Sequence, residues 1–450
     1  MIDWLTASRC AAVLNESPER TEQVLSETVA AAPCFQNAAF PLSPLPLYAA
    51  HDEASAVLDD TERYAALLGR IVGLYREHTE IRRWYGLGPV AESLIAADTR
   101  LGDTVPVCRL DGFLERGTER LRLLENNADA PAGTMFSPRI NGIVRDALTR
   151  LGADLPEWSP LTFGSEMALP ETLTALLARA GLPADDPKIA VLQLTGASNR
   201  ESQEMVRALR AAGRCAMVAD PRDLRLRGSR VWFGDEPADV CWNKVNTVSW
   251  RSTVESHPDL AARWTAAVGD ADFLHVNPFG ARYVAESKFT LALPRQPAFA
   301  GLFTEEEHAL IDRLLPWARR LTHDAVAADG QSSLLEEVTD RAADYVIKEP
   351  YDIRGDGVTV GRAATRSGWD EAVAHALKDA LVVQRFVEPS SYPVFQAGRT
   401  PPAVAMPFSF DTFIMDGRVR GFGSKASLNI RLNVFQGGQK LAVHVCEGKQ

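Results

Sequence analysis

No apolar run in this 450-residue chain approaches the roughly 20 residues that a membrane-spanning helix requires. The opening stretch, MIDWLTASRCAAVLNESPER, lacks a basic segment followed by an apolar one, so it does not read as a secretory leader. A basic surplus is also missing. Forty-eight Lys and Arg face 59 Asp and Glu, a formal net charge of −11. That balance excludes general electrostatic binding to nucleic acid or to an anionic membrane, and leaves room only for a local basic pocket. Six cysteines stand at 10, 34, 108, 215, 241 and 446, with no CxxC pair and no zinc spacing, as expected of free thiols in a reducing compartment. The eight histidines are dispersed, and no Ser-His-Asp or Cys-His arrangement is evident. The strand-to-helix GxGxxG of dinucleotide binding and the GxxxxGK[ST] phosphate loop are both absent. There is no internal repeat. The expectation is a soluble cytoplasmic protein. Oligomeric state is not readable, and a homodimer is one arrangement the sequence allows.

What is present is core-forming material: 46% hydrophobic and 24% charged residues, enough for two to four lobes. Residues 1–100 read as mainly helical, with Leu58, Tyr64, Leu67, Leu68, Ile71 and Leu74 near helical spacing. The Pro-rich stretch 39–50 reads as an extended connector. This region shows no chemistry of its own. A hairpin is expected over 103–127 and a helix over 137–155. KIAVLQL, ESQEMVRALRAAG and RCAMVAD form a β-α-β pattern, with RLRGSRVWFG and DVCWNKV as further strands. Later, TEEEHALIDRLLPWARRL (304–321) opens as a capped helix. DYVIKEPYDIRGDGVTVG (344–361) reads as strand, glycine loop, strand, and ALVVQRFVEP (380–389) as a strand. A hairpin turning at Asp416-Gly417 follows. The fold class is α/β with α+β lobes, divided as 1–100, 101–165, 166–285 and 286–450.

The most informative stretch is CRLDGFLERGTERLRLLENNADAPAG. With the hairpin turn near Thr118, Asp111 faces Glu125 and Arg109 faces Asn127, all on one side of the strands. Opposed carboxylates at a Cβ separation of about 5 Å repel by roughly 3 kcal/mol at an effective dielectric near 20. A divalent cation would offset that, with Asn127 as a neutral oxygen ligand; Mg²⁺ favours a few such oxygens plus waters and phosphates. A solvated hairpin face with ordinary surface charges is the alternative, and a slip of one residue would undo the convergence.

A second group lies in VIKEPYDIRGDGVTVG. Lys348 ends an apolar strand, and Arg354, Gly355 and Gly357 follow in a short loop. Such a loop lets backbone N–H groups approach phosphate oxygens, though a hairpin turn would also need glycine. VVQRFVEP offers an extended edge for a base. Lys288 in ESKFTLAL, and Lys425, Arg431 and Asn433 near the C-terminus, are further polar candidates. Side chains selecting substrates are expected from the middle lobe, near Asn243, Lys244, Asn246, Arg251 and Arg282, where structural roles are equally open.

These stretches, with DGRVRGFGSKASLNI, make the chain resemble the circularly permuted ATP-grasp ligases, the type found in the synthetase domain of glutathionylspermidine synthase. The resemblance covers roughly 105–140 and 280–440; the middle β-α-β region fits a Rossmann-like pre-ATP-grasp lobe by pattern, and the first hundred residues are unmatched. It implies that Asp111, Glu125 and Asn127 hold Mg²⁺ and that Arg109 contacts the transferring phosphate. It implies that Lys288 and Lys348 hold ATP phosphates under a loop from Arg354 to Gly357, and that Gln384, Arg385, Phe386 and Val387 border adenine. Those synthases carry an arginine in a GxGxRES-like stretch where this chain has Lys425, which keeps the charge and loses the bidentate fork. The implied activity is ATP-dependent joining of a small-molecule or peptide carboxylate to an amine, through an acylphosphate. The competing reading is a nucleotide-binding scaffold or partner subunit without ligase turnover.

Overall fold

In a computed structural model of the chain, residues 1–32, 41–197, 200–352, 355–396, 403–432 and 438–447 are described. The first hundred residues supply helices Trp4–Glu16, Pro18–Ala31, His51–Ala56, Leu58–Glu77, Thr79–Tyr85 and Pro89–Ala97. The longest, Leu58–Glu77, buries Tyr64, Leu67, Leu68, Ile71 and Leu74 along one stripe. The Pro-rich connector ends in a strand, Leu47–Ala50, which pairs in parallel with Val443–Cys446 near the other end of the chain. The helical region is thus stitched to the C-terminal part. No helix among the described residues is long and apolar enough to cross a membrane.

The middle of the chain forms a four-stranded parallel sheet, in the order Leu274–Val276, Val240–Asn243, Ile189–Leu192, Ala216–Ala219. Helix Glu201–Ala211 makes the crossover between the last two strands. RLRGSRVWFG stays outside that sheet. It folds as Leu224–Arg227 and Arg230–Phe233, and Glu236–Ala238 completes a separate antiparallel sheet of three strands.

Two larger antiparallel sheets follow, beside a two-stranded one of Ser391–Phe395 and Ala403–Pro407. One has five strands in the order Gln439–Leu441, Arg418–Ala426, Asp411–Met415, Val107–Leu114, Leu121–Asn127. Its two hairpins are far apart in sequence and meet where Val107–Leu114 pairs with Asp411–Met415. The turn joining Asp411–Met415 to Arg418–Ala426 is the two-residue Asp416-Gly417, both at positive φ (51° and 75°), as a right-twisted hairpin requires. The other sheet has four strands, in the order Ala318–Arg320, Val382–Arg385, Tyr345–Lys348, Val358–Val360.

Two helices end earlier than expected, and the one read over 137–155 spans Phe136–Arg150. The helix opened by Thr304, whose side chain forms a capping box with Glu307, stops at Leu314 instead of running to residue 321. Pro316 disfavours helical backbone at the preceding residue, and Leu315 is extended at ψ 133°. Ala318–Arg320 then becomes a strand against Val382–Arg385.

The Val107–Leu114 strand carries a register shift between Asp111 and Gly112. A Cβ on Gly112 would lie 2.8 Å from Leu121 Cδ1 and 3.1 Å from the carbonyl oxygens of Arg122 and Phe410. Gly112→Ala is therefore expected to destabilise the protein by about 1–3 kcal/mol through overpacking. A lower midpoint in urea denaturation would register this; an unchanged midpoint would show that the bulge has spare room.

Candidate functional site

The hairpin register places Arg109 opposite Asn127, Leu110 opposite Asn126 and Asp111 opposite Glu125. Because strand side chains alternate, the two adjacent asparagines do different work. Asn126 is buried: it accepts from the Tyr64 hydroxyl at 3.1 Å and donates to the Ala285 carbonyl at 3.2 Å. The helical region, without visible chemistry in its sequence, thereby fixes the back of the hairpin. Arg109, Asp111, Glu125 and Asn127 face the other way, into a cavity of about 730 Å³.

The acids do not face each other uncompensated. Arg109 grips Asp111 through Nε at 2.6 Å and a terminal nitrogen at 3.1 Å. Lys425 Nζ donates to Asp111 at 2.8 Å, and Asn127 Nδ2 also donates to Asp111, at 2.9 Å. Glu125 pairs with Lys288 at 2.9 Å. The repulsion argued from the sequence is thus already offset by protein cations, and it does not by itself require a metal. Burial would raise the Asp111 carboxyl, but Arg109 and Lys425 hold it well below the usual carboxylate range. The donor set nonetheless fits Mg²⁺. Two carboxylates and a side-chain amide share one face of the cavity, matching the few protein oxygens that this ion takes beside phosphates and waters. Among the described residues, no three His, Cys, Asp or Glu side chains form a ready-made cage for a metal.

On one side the cavity is walled by Val346, Val358, Val360 and Leu124, with Lys348, Gly355 and the run Gln384, Arg385, Phe386, Val387. Lys348 Nζ donates to the Leu124 carbonyl at 2.6 Å, and burial pushes its ammonium down to about 8. The Gln384 amide nitrogen is buried without a partner among the described residues. Phe386 lies under the Arg362 guanidinium at 4.0 Å. Lys288 sits one layer back, behind Glu125 and Asp352, the latter at 2.7 Å. Burial alone would lower its ammonium, but Glu125 and Asp352 together hold it above its ordinary value. Gly357 packs on Glu349 and Asp352 and is not part of the cavity wall; Arg354 and Asn433 lie outside the described residues.

The cavity is also lined by Asp129, Ala130, Ala132 and Gly133, with Ala197, Arg200, Glu201, Lys244, Asn246 and Arg431. Residues 197 and 244 follow the carboxyl ends of Ile189–Leu192 and Val240–Asn243, neighbouring strands at which the parallel sheet's order reverses. Ligand clefts form at such reversal points because the connections leave in opposite directions. Of the middle-lobe candidates, Lys244 and Asn246 reach the cavity. The Lys244 side chain is 3% exposed, pairs with Glu201 at 3.0 Å and donates to the Ala130 carbonyl at 3.2 Å. Arg282 is fully buried and ties together the Asp129, Asn243 and Val245 carbonyls, a structural role. Asn243 is likewise buried, against His275, and Arg251 lies over the Tyr351 ring.

Several charged groups at the cavity were not singled out from the sequence. Asp411 is buried on the strand beside Asp111, with Lys425 Nζ at 3.6 Å, and burial raises its carboxyl. Glu286 accepts the Ala128 and Asp129 backbone N–H groups; burial, then Asp129, raises it well above the ordinary range. Lys440 lies directly opposite Lys425, and burial lowers its ammonium to about 8. The signal that could have found Lys440 was the lysine two residues after the Gly437-Gly438 pair, legible only once its strand partner was known.

No family model matches the chain, and no curated protein matches it significantly. Among solved structures, a glutathione synthetase-like effector (GSS30) from Globodera pallida, in its apo form, is 12% identical with a TM-score of 0.59. The match covers 95% of this chain and 96% of that one, so the two share a fold. A putative gamma-glutamylcysteine synthetase from Methylobacillus flagellatus is 14% identical at a TM-score of 0.40, covering 84% and 87% of the respective chains. That likeness is too loose to carry an argument.

The paired carboxylate gives a direct stability test. A carboxyl held below its ordinary range contributes stability that is present above the unfolded-state pKa, near 4, and lost as pH falls toward the folded value. Asp111→Asn should therefore cost about 3 kcal/mol at neutral pH and remove part of the acid-side decline. Urea denaturation from about pH 6 down to about pH 3 would show this; parallel curves for both proteins would contradict the pairing.

Proposed function

We propose that this chain is an ATP-dependent carboxylate–amine ligase of the circularly permuted ATP-grasp type. The observation that carries the reading is the convergence, in one cavity, of the opposed acids Asp111 and Glu125, the buried Lys348 and an apolar slot bordered by Gln384–Val387. The motif order supports it: the acidic hairpin precedes the glycine loop in the chain, as the permuted type requires. The parallel sheet would serve as the pre-ATP-grasp lobe, and the divisions 1–100, 101–165, 166–285 and 286–450 as functional segments.

On this reading the substrate carboxylate takes the γ-phosphoryl group of ATP, giving an acylphosphate and ADP. An amine then displaces phosphate and forms an amide. Such a reaction asks a protein for positioning and charge neutralisation, with no covalent nucleophile. Arg109 reaches the transferring group, and Lys348 and Lys288 neutralise the nucleotide phosphates. Val346, Val358 and Val360 exclude water around the base. Asp111, Glu125 and Asn127 would hold Mg²⁺, which when bound neutralises phosphate charge.

With ATP, Mg²⁺ and a pool of acids and amines, the purified protein should release ADP. Asp111→Ala and Glu125→Ala should each lower the rate about 100-fold or more with the far-ultraviolet circular dichroism retained. Full turnover in both variants would overturn the assignment, and tight ATP binding without turnover on any substrate would favour the scaffold.

Lys348 supplies a pH test. Its ammonium pairs with phosphate only while protonated, and its ordinary value is lowered to about 8. ATP affinity should weaken as pH rises through about 8, and Lys348→Met should bind more weakly with that dependence gone. Calorimetric titration would check both; the same pH profile in the two proteins would exclude Lys348 from the phosphate site.

A further inference from the structure

The corner where Gln439–Leu441 meets Arg418–Ala426 contains a lysine pair with no structural reason to exist. Lys425 and Lys440 are directly opposed across two antiparallel strands, an arrangement that is unfavourable for like charges. Both line the main cavity, as does Arg109. Two carboxylates compensate this group. Asp111 takes Arg109 and Lys425, and Asp411 lies 3.6 Å from Lys425. Lys440 makes no side-chain hydrogen bond or ion pair among the described residues. Three cations therefore face two carboxylates, and the uncompensated charge belongs to Lys440.

Its position is set from behind. The Lys440 backbone donates to the Pro41 carbonyl at 2.9 Å and accepts from Ser43 at 3.1 Å. The side chain also borders a small annex of about 10 Å³ with Arg109, Asp411, Ser137 and Ser424. One oxygen of Asp411 is buried there without a hydrogen-bond partner among the described residues. A backbone fixed on one face, with an unpaired ammonium presented to the cavity on the other, is the arrangement of a receptor for an anion.

We infer that Lys440, flanked by Lys425 and Arg109, binds a carboxylate group of the acid substrate. This deepens the ligase reading and rests on it for the substrate's role. A carboxylate is favoured over a phosphate because the corner has a surplus of one positive charge, which a monoanion cancels. The site lies on the sheet that carries Asp111, beside the group that Arg109 reaches on the ligase reading, whereas the base would lie along Gln384–Val387.

The test is calorimetric titration with glutarate, a carboxylate probe without an amine, and separately with inorganic phosphate. Both are added to wild type, Lys440→Gln and Lys440→Arg, each with and without ADP and Mg²⁺. Glutarate should bind wild type and Lys440→Arg within threefold of each other, and Lys440→Gln at least tenfold more weakly. ADP affinity should stay within twofold in all three. Equal glutarate binding by wild type and Lys440→Gln would overturn the inference, as would wild type that takes phosphate but not glutarate, or neither. Failure of ADP to bind any of the proteins would instead sink the ligase reading, while glutarate titration of the nucleotide-free protein would still decide the role of Lys440.

Discussion

Everything at the cavity depends on the register between Val107–Leu114 and Leu121–Asn127. One residue of slip would turn one strand's pair, Arg109 with Asp111 or Glu125 with Asn127, into the core and bring Leu110 or Asn126 to the cavity. The register is enforced from behind. Tyr64 and Ala285 bond to Asn126, and Asn277 bonds to both the N–H and the C=O of Val107. A polar residue buried with its hydrogen bonds satisfied costs little, whereas the slipped alternative would bury a carboxylate against apolar packing. The site therefore inherits its geometry from elements that never touch it.

Charge sets the second constraint. The cavity gathers carboxylates and cations in alternation: Asp111 between Arg109 and Lys425, and Lys288 between Glu125 and Asp352. In a partly dry site such pairs keep one another ionised and oriented, and breaking one strands its partner. Ligands bearing phosphate and metal would enter by exchanging these contacts for their own. That gives a physical reason for Lys425 and Lys288 to be lysines on flexible stems beside the rigidly forked Arg109.

Much of this was legible in the sequence. The hairpin pairing followed from two-residue alternation and a turn near Thr118, the Asp416-Gly417 turn from its residue types, and the parallel strands from continuous apolar runs. What escaped was whatever depends on distant pairing. Asp411 joins the acids only because its strand lies beside Val107–Leu114, about three hundred residues away in the chain. Lys440 meets Lys425 only through a strand pairing that local pattern does not announce. The charge balance at Asp111 was misjudged for the same reason, since Lys425 and Lys288 arrive from elsewhere. Pro316 was a local signal that should have ended the helix before residue 321.

The central claim is that Asp111 and Glu125 are placed to share a divalent ion with nucleotide phosphates. The most direct measurement is anomalous scattering from crystals grown with ADP and Mn²⁺. The account predicts a manganese peak in contact with both carboxylates and with a phosphate oxygen of ADP. Manganese bound elsewhere, or ADP seated in the cavity with both acids still engaged only by Arg109, Lys425 and Lys288, would contradict it.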